Sequence, residues 1–311
     1  MIQTAIESQK EIKMSRCLIT GHKGYIGSKL YKTLIEQGHE VMGIDLKDGN
    51  NILQTLKQFR DGNFHPHWAK FKPEYIFHLA AIPRVAYSVE NPIEVIENNV
   101  LSSLYVLEFA RSVGAKRVIY SSSSSVVGNG QGPENPYGAS KYMPESMCGV
   151  WSRLYGIDTV CLRYFNVYSP CQKASGPYAT AIANFMQFIR EGKTPFITGD
   201  GEQRRDMSHL EDVVSANIFS MEHDGEFKGK WFDVGTGDNI SLNETKEIVQ
   251  EIFEDVKFDY VPDRDGDVFL TKANTEPLSS LGWKANNNVK SGIRECFQKL
   301  KLELESKDET S

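Results

Sequence analysis

The stretch Thr20-Gly21-His22-Lys23-Gly24-Tyr25-Ile26-Gly27 narrows the choice of fold more than any other part of this chain. Its glycines are spaced G-x-x-G-x-x-G. A short apolar run, Cys17–Thr20, precedes them, and Ile26, Leu30, Leu34 and Ile35 follow at helical spacing until Gly38. Strand, tight turn and helix in that order form the context in which a glycine triplet works as a dinucleotide loop. The chain must turn sharply, bring backbone N–H groups up to a pyrophosphate, and pack the helix start on the strand. The helix N-terminus adds partial positive charge. Asp45 closes the next apolar run, Val41–Ile44, roughly 20 residues past the loop. A carboxylate there accepts hydrogen bonds from both ribose hydroxyls and repels a 2′-phosphate, so the expected cofactor is NAD rather than NADP. Gly21, Gly24, Tyr25, Ile26, Gly27 and Asp45 are candidate cofactor residues. His22 either touches a phosphate or faces solvent.

The alternation continues. Tyr75–Leu79, Arg117–Tyr120 and Thr159–Leu162 read as strands. Pro92–Val113 and Gly138–Tyr155 read as helices. Such a pattern implies a parallel sheet covered on both faces. Asp48–Lys72 leaves little room for a full strand. Beyond Tyr164 the pattern is less regular. Tyr178–Glu191, Ser241–Phe253 and Val289–Leu302 look helical, Phe196–Thr198 extended, and Trp231–Val234 is placed to return to the sheet. The expected class is α/β, a Rossmann-type doubly wound parallel sheet with a smaller, mixed α/β C-terminal substrate domain.

A formal net charge of −6 argues against a dedicated nucleic-acid binder, which carries a basic face. The cysteines, Cys17, Cys148, Cys161, Cys171 and Cys296, lie far apart with no C-x-x-C. That disfavours a disulfide framework and fits a reducing compartment. His65 and His67 have no ligand-spaced partners, so no metal is expected. Met1–Met14 lacks the apolar run of a secretory signal, and no stretch is long enough to span a bilayer. The expectation is a cytoplasmic protein.

Tyr137-Gly138-Ala139-Ser140-Lys141 puts a tyrosine and a lysine on one helix face. An ammonium beside a phenol favours phenolate and lowers the phenol's pKa. A phenolate is a usable base for a sugar hydroxyl. Upstream, Arg117–Tyr120 runs into Ser121–Ser125. Most of these serines read as a polar turn, but one beyond a parallel strand's C-terminus can bond the same hydroxyl. Taken together, these residues resemble the extended short-chain dehydrogenase/reductases that modify nucleotide sugars, closest in pattern to the UDP-hexose 4-epimerases. The resemblance runs from Met14 to about Leu302.

That resemblance implies roles for particular residues. Ser123 is the catalytic serine, Tyr137 the base and Lys141 its partner. Leu79-Ala80-Ala81, after His78, looks like the strand end that lies along the cofactor. Asn51-Ile52 is similar to the pair flanking adenine, and Asn99 to an asparagine behind the catalytic residues. Ser121 and Tyr164 join the cofactor set. Asn166 matches a diphosphate ligand. Gly199–Asp206 is similar to a signature whose arginine binds the substrate diphosphate, which points to Arg205 rather than Arg204. Arg264 resembles a second such arginine, with Asp267 near the nucleotide ribose. An arginine fork suits phosphate oxygens. Arg84, Ser88, Val127 and Thr180 would shape the sugar pocket.

By the same resemblance, residues 14–165 plus about 208–238 bind NAD. Residues 166–207 plus about 239–303 bind the nucleotide sugar, and 1–13 and 304–311 are tails. Pro92–Val113 and Gly138–Tyr155 resemble helices that form a four-helix homodimer interface. Departures from the family pattern are Val127 for a usual tyrosine, Met207 for an aromatic, and Cys171 for an arginine. The implied reaction is C4 epimerisation of a nucleotide-linked, most simply UDP-linked, sugar through a 4-keto intermediate. A 4,6-dehydratase is the rival, although Ser124 and Ser125 stand where its Asp-Glu pair belongs. Two further readings are a UDP-glucuronate-type epimerase or decarboxylase and a catalytically silent dinucleotide sensor. The sensor is disfavoured by the presence of both Tyr137 and Lys141.

Overall fold

Cys17, Leu18, Ile19 and Thr20 are all buried because they form β1 (Arg16–Thr20), which has a parallel neighbour on each edge. The structure, a computed structural model, describes residues 13–49, 66–83, 85–172, 180–262 and 269–308. After β1 come α1 (Tyr25–Glu36), β2 (Glu40–Ile44), α2 (Pro66–Phe71) and β3 (Tyr75–His78). Next are α3 (Val85–Glu90), α4 (Pro92–Ile96), α5 (Ser102–Val113), β4 (Arg117–Ser123), α6 (Pro136–Tyr155) and β5 (Asp158–Tyr164). Then follow α7 (Ala181–Arg190), β6 (Phe196–Thr198), β7 (Arg204–Arg205), α8 (Leu210–Glu222) and β8 (Lys230–Val234). The last elements are β9 (Ile240–Ser241), α9 (Leu242–Ile252), β10 (Asp259–Val261), α10 (Glu276–Ser279) and α11 (Val289–Asp308).

The main sheet has the order β2-β1-β3-β4-β5-β8, and every pair is parallel. Succession runs outward from β1 to β2, then reverses through β3, so the switch point of this doubly wound fold lies between β1 and β3. Among the described residues β2 is the edge, and most of the Asp48–Lys72 stretch, where little room for a strand was expected, lies outside them. One apolar core lies under α1 and α8, with Ile19, Phe77, Ile119, Leu162 and Val234 from the sheet. A second lies under α5 and α6, with Leu18, Ile76, Val118 and Tyr120. Alternate residues of each strand serve opposite cores. A third core joins α7, α9 and α11 around Met186, Ile197, Ile240 and Phe297. Two small sheets accompany it, β6 with β10 in parallel and β7 with β9 antiparallel. Among the described residues no helix is long and apolar enough to cross a membrane.

Two sequence expectations need correction, and three short strands had no expectation at all. The helix expected over Pro92–Val113 is interrupted by a π turn at Glu97–Leu101, where the Ser102 and Ser103 hydroxyls both donate to the Asn99 carbonyl. Such turns often mark functional positions. Ser121–Ser123 are not a turn but the buried end of β4, paired in register with Leu162–Tyr164. The two-residue strands β7 and β9, and β10, have no periodicity for sequence reasoning to find.

Candidate active site

The crevice begins where β1 hands over to α1. Gly21 has φ +76°, and a Cβ on it would sit 2.8 Å from the Ala80 nitrogen. A Cβ on Gly27 would sit 2.1 Å from the Gly21 carbonyl oxygen, so the loop folds directly onto the helix start. Gly24 precedes α1 with no side-chain cap and no acidic residue in the first turn, which leaves the positive helix end available to an anion. Asp45 is buried; its Oδ2 accepts from the Lys23 N–H at 2.9 Å and its Oδ1 from the Lys47 N–H at 2.9 Å. Each oxygen keeps a further lone pair for a ribose hydroxyl. A bare glycine cradle, a free helix end and a carboxylate at the next strand end fit NAD. Tyr25 and Ile26 pack against the first core, and the Tyr25 hydroxyl donates to Ser169 Oγ at 2.6 Å. His22 is not solvent-facing as one expectation allowed. Its ring lies where a Gly43 Cβ would be, and its Nε2 is 3.4 Å from Asp48.

Across the switch point, one directed chain of hydrogen bonds ties the loops together. Ser103 donates to the Asn99 carbonyl at 2.7 Å, so its oxygen must accept from His78 Nε2 at 3.0 Å. His78 Nδ1 is then an acceptor and takes the Thr20 hydroxyl at 2.7 Å, while the Ala80 N–H donates to Thr20 Oγ1 at 3.2 Å. Burial, helped by Lys141, lowers the His78 pKa to about 3, as a neutral ring requires. Leu79, Ala80 and Ala81 therefore sit half-buried beside the glycine loop, and the Leu79 N–H donates to the Thr20 carbonyl. Asn99 does not offer its amide to the crevice. Its Oδ1 accepts from the Ile82 N–H, and its Nδ2 donates to the Ile82 carbonyl and to Ser140 Oγ. It holds the loop that would meet a cofactor.

Helix α6 starts where Asn135 caps the Gly138 N–H and Pro136 fills the first turn, two residues earlier than expected. The buried Ser88 hydroxyl accepts from the Tyr137 N–H at 3.0 Å, so Ser88 positions the helix start. Ser123 lies close enough to the Tyr137 hydroxyl to oppose the rise that burial causes in its pKa. Ser123 Oγ accepts from the Ser125 N–H and contacts Ser125 Oγ, both at 3.2 Å. The Lys141 ammonium donates to the Ser121 carbonyl at 2.9 Å and lies over the Tyr120 ring. Ser121 Oγ meets the hydroxyl of the buried Tyr164 at 3.0 Å, and Asn217 Nδ2 donates to that hydroxyl at 2.8 Å. Ser123, Tyr137, Lys141, Ser121 and Tyr164 are thus brought together.

The electrostatics differ from the sequence expectation. Burial raises the Tyr137 pKa, the nearby Ser123 hydroxyl opposes that, and Lys141 does not bring the phenol below its ordinary value. Burial instead lowers Lys141 to about 8, against the field of Glu145. In this enclosed site desolvation outweighs the charge–phenol attraction.

On the far side, Asn166 adopts φ +36°, an uncommon conformation for a non-glycine residue, and its Nδ2 donates to the Asp206 carbonyl at 2.8 Å. Asp206 is fully buried; its carboxylate accepts from Thr236 N and Oγ1, Gly237 N and Ala273 N. The Arg204 fork is committed to Asn239 and Glu244. Arg205 donates to the Arg204 and Phe269 carbonyls. Thr180 caps α7 and donates to Gln172. Val127 is partly exposed, Met207 buried and Cys171 exposed. Arg84, Asn51, Ile52, Arg264 and Asp267 lie outside the described residues. Sequence reasoning missed Thr20, Ser103, Asn135, Glu145, Arg163 and Asn217. Of these, only Asn135-Pro136 before a helix carried a local signal.

The NAD dependent epimerase/dehydratase family model matches residues 17–235. A putative UDP-glucose 4-epimerase from Methanocaldococcus jannaschii is 32% identical over 303 residues, covering 91% of this chain and 98% of that protein. The crystal structure of UDP-glucose 4-epimerase with UDP-glucose from Thermotoga maritima superimposes with a TM-score of 0.83 at 30% identity, covering 93% of this chain and 99% of that one. The UDP-N-acetylglucosamine 4-epimerase from Methanobrevibacter ruminantium, in complex with UDP-N-acetylmuramic acid, gives 0.81 at 29% identity, covering 94% and 100%.

Proposed function

The chain belongs to the NAD dependent epimerase/dehydratase family, and on that premise we propose that it epimerises a UDP-linked hexose or N-acetylhexosamine at C4. The observation that carries this reading is the meeting of Tyr137 at the start of α6 with Ser123 at the end of β4, Lys141 lying one helical turn on with its ammonium on the Ser121 carbonyl. The names of the relatives support UDP as the carrier and C4 as the reacting carbon. Gly21, Gly24, Gly27 and Asp45 would hold NAD, with Leu79–Ala81 alongside. When bound, NAD supplies the carbon that takes up and returns a hydride.

The chain's own residues position and move the proton. Ser123 fixes the C4 hydroxyl, and Tyr137 takes its proton as the 4-keto sugar forms. Lys141 keeps positive charge beside the phenol. Asn166, Arg205 and Arg264 anchor the diphosphate, with Asp267 near the nucleotide ribose, while the sugar turns over. Tyr137 then returns the proton to the C4 oxygen on the other face. Ser124 and Ser125 offer no carboxylate for removing a C6 hydroxyl, which favours epimerisation over dehydration.

Incubation with UDP-glucose, UDP-N-acetylglucosamine and UDP-glucuronate, followed by NMR, tests the reading. A C4 epimer from at least one is expected, and a keto-deoxy product would replace it with dehydration. Tyr137→Phe is expected to lower kcat on the order of 10³-fold with NAD content unchanged. The exposed apolar residues Leu101, Tyr142, Met143, Val150 and Leu154 of the π turn and α6 support a homodimer through a four-helix bundle. A monomer at micromolar concentration in sedimentation would refute that. Free thiols at all five cysteines fit a reducing cytoplasm.

A further inference from the structure

Lys141 pays a desolvation cost that its own contacts do not remove. Its Nζ is buried, bonded to the neutral Ser121 carbonyl and set over the Tyr120 ring. Burial favours an uncharged amine. The titratable groups around it are His78 at the end of β3, Tyr120 on β4, and Tyr137 and Glu145 on α6 itself. Arg163 stands behind on β5. His78 is neutral, and burial pushes Tyr120 well above the ordinary phenol range. Glu145 is the anion whose field opposes the loss of charge on Lys141.

Glu145 is also held in place. It lies one turn after Lys141 and is 6% exposed. Arg163 donates Nε to Oε1 at 2.8 Å and Nη2 to Oε2 at 2.7 Å. The Arg163 guanidinium rests 3.6 Å from the centre of the Trp231 ring on β8. A planar fork with a stacked face has one orientation, so the carboxylate cannot turn away from the helix.

We propose that Glu145, fixed by the Arg163 fork and the Trp231 ring, is a positioning residue for the reaction. It keeps Lys141 charged on the Ser121 carbonyl while touching neither cofactor nor sugar. This rests on the reading of Tyr137 and Lys141 given above.

The test uses the full-length protein carrying Glu145→Gln. Two readouts are taken from pH 6 to 10: steady-state kinetics, and the ¹³Cε resonance of Lys141 in lysine-labelled protein. The alkaline limb of kcat and the Lys141 midpoint are both expected to move down by about one pH unit. That is about a tenfold loss of kcat on the alkaline side, with KM within about twofold. Arg163→Lys, which keeps the charge, is expected to shift both by less. Unmoved limb and midpoint in folded Glu145→Gln overturn the proposal. So does a kcat loss that is uniform with pH and tracks thermal stability. If Glu145→Gln does not fold, Trp231→Ala replaces it, with a smaller shift in the same direction expected and no shift overturning the proposal. If the wild type converts no nucleotide sugar while the Lys141 midpoint still moves, the functional reading fails, and Glu145 loses its positioning role in the reaction with it.

Discussion

On the glycine-loop side of the crevice the polar groups are short, buried and bonded to one another and to backbone. Thr20, His78, Asn99 and Ser103 are each at most 2% exposed. On the side of Arg204 and Arg205 they are long and half-buried, and the strands that carry them are two residues long. A rigid side suits a resident cofactor that must not shift. A side built on long arginines suits a ligand whose sugar must turn over while its diphosphate stays anchored.

Three experiments can break or sharpen that contrast, and the first has the largest expected effect. Gly27→Val drives a side chain into the Gly21 carbonyl, so the variant is expected to purify without NAD and to lose about 3 kcal/mol of stability in urea unfolding. Normal cofactor content would show the loop to be as yielding as the other side. Next, Arg205→Ala is expected to raise KM for the UDP-sugar roughly 10- to 100-fold, the value of a lost charged hydrogen bond, and to leave NAD affinity alone. Arg204→Ala should instead act on stability, because its fork serves Asn239 and Glu244. Equal KM effects from the two arginines would erase the distinction drawn between them.

Taken per pH unit, the smallest effect is a slope in stability. His78 has a folded pKa lowered to about 3 from 6.5. Its contribution to stability is therefore fully present above pH 6.5 and is lost as pH falls toward 3, because the unfolded chain binds the proton first. The unfolding free energy should fall by up to about 1.4 kcal/mol per pH unit in that window through this group, and His78→Gln should lack that component. An unchanged slope in the variant would mean the rigid side does not rest on a neutral ring.

The sequence disclosed the parts of the site whose chemistry is local. The glycine spacing, Asp45 at a strand end and Tyr137 four residues before Lys141 each follow from backbone geometry within a few residues. What stayed hidden depends on partners far apart in the chain. Thr20 and His78 are 58 residues apart, and His78 and Ser103 are 25 apart. Ser121–Ser123 read as a turn because serine is polar, yet they are strand because β4 is covered on both faces. The Ser121 and Ser123 hydroxyls find partners in Tyr164 and Ser125, whereas the Ser122 hydroxyl has none among the described residues. The tyrosine–lysine attraction was legible, but its outcome was not, since spacing carries no information on how dry the site is.

The one-way run of donors from the Ala80 peptide to the Asn99 carbonyl has a consequence for how this protein can change over generations. Each link gives away its single hydrogen and takes one from its neighbour, so replacing any one side chain alone strands at least one neighbour. Residues 20, 78 and 103 are expected to be inherited as a block, with drift at one tolerated only when the other two change with it.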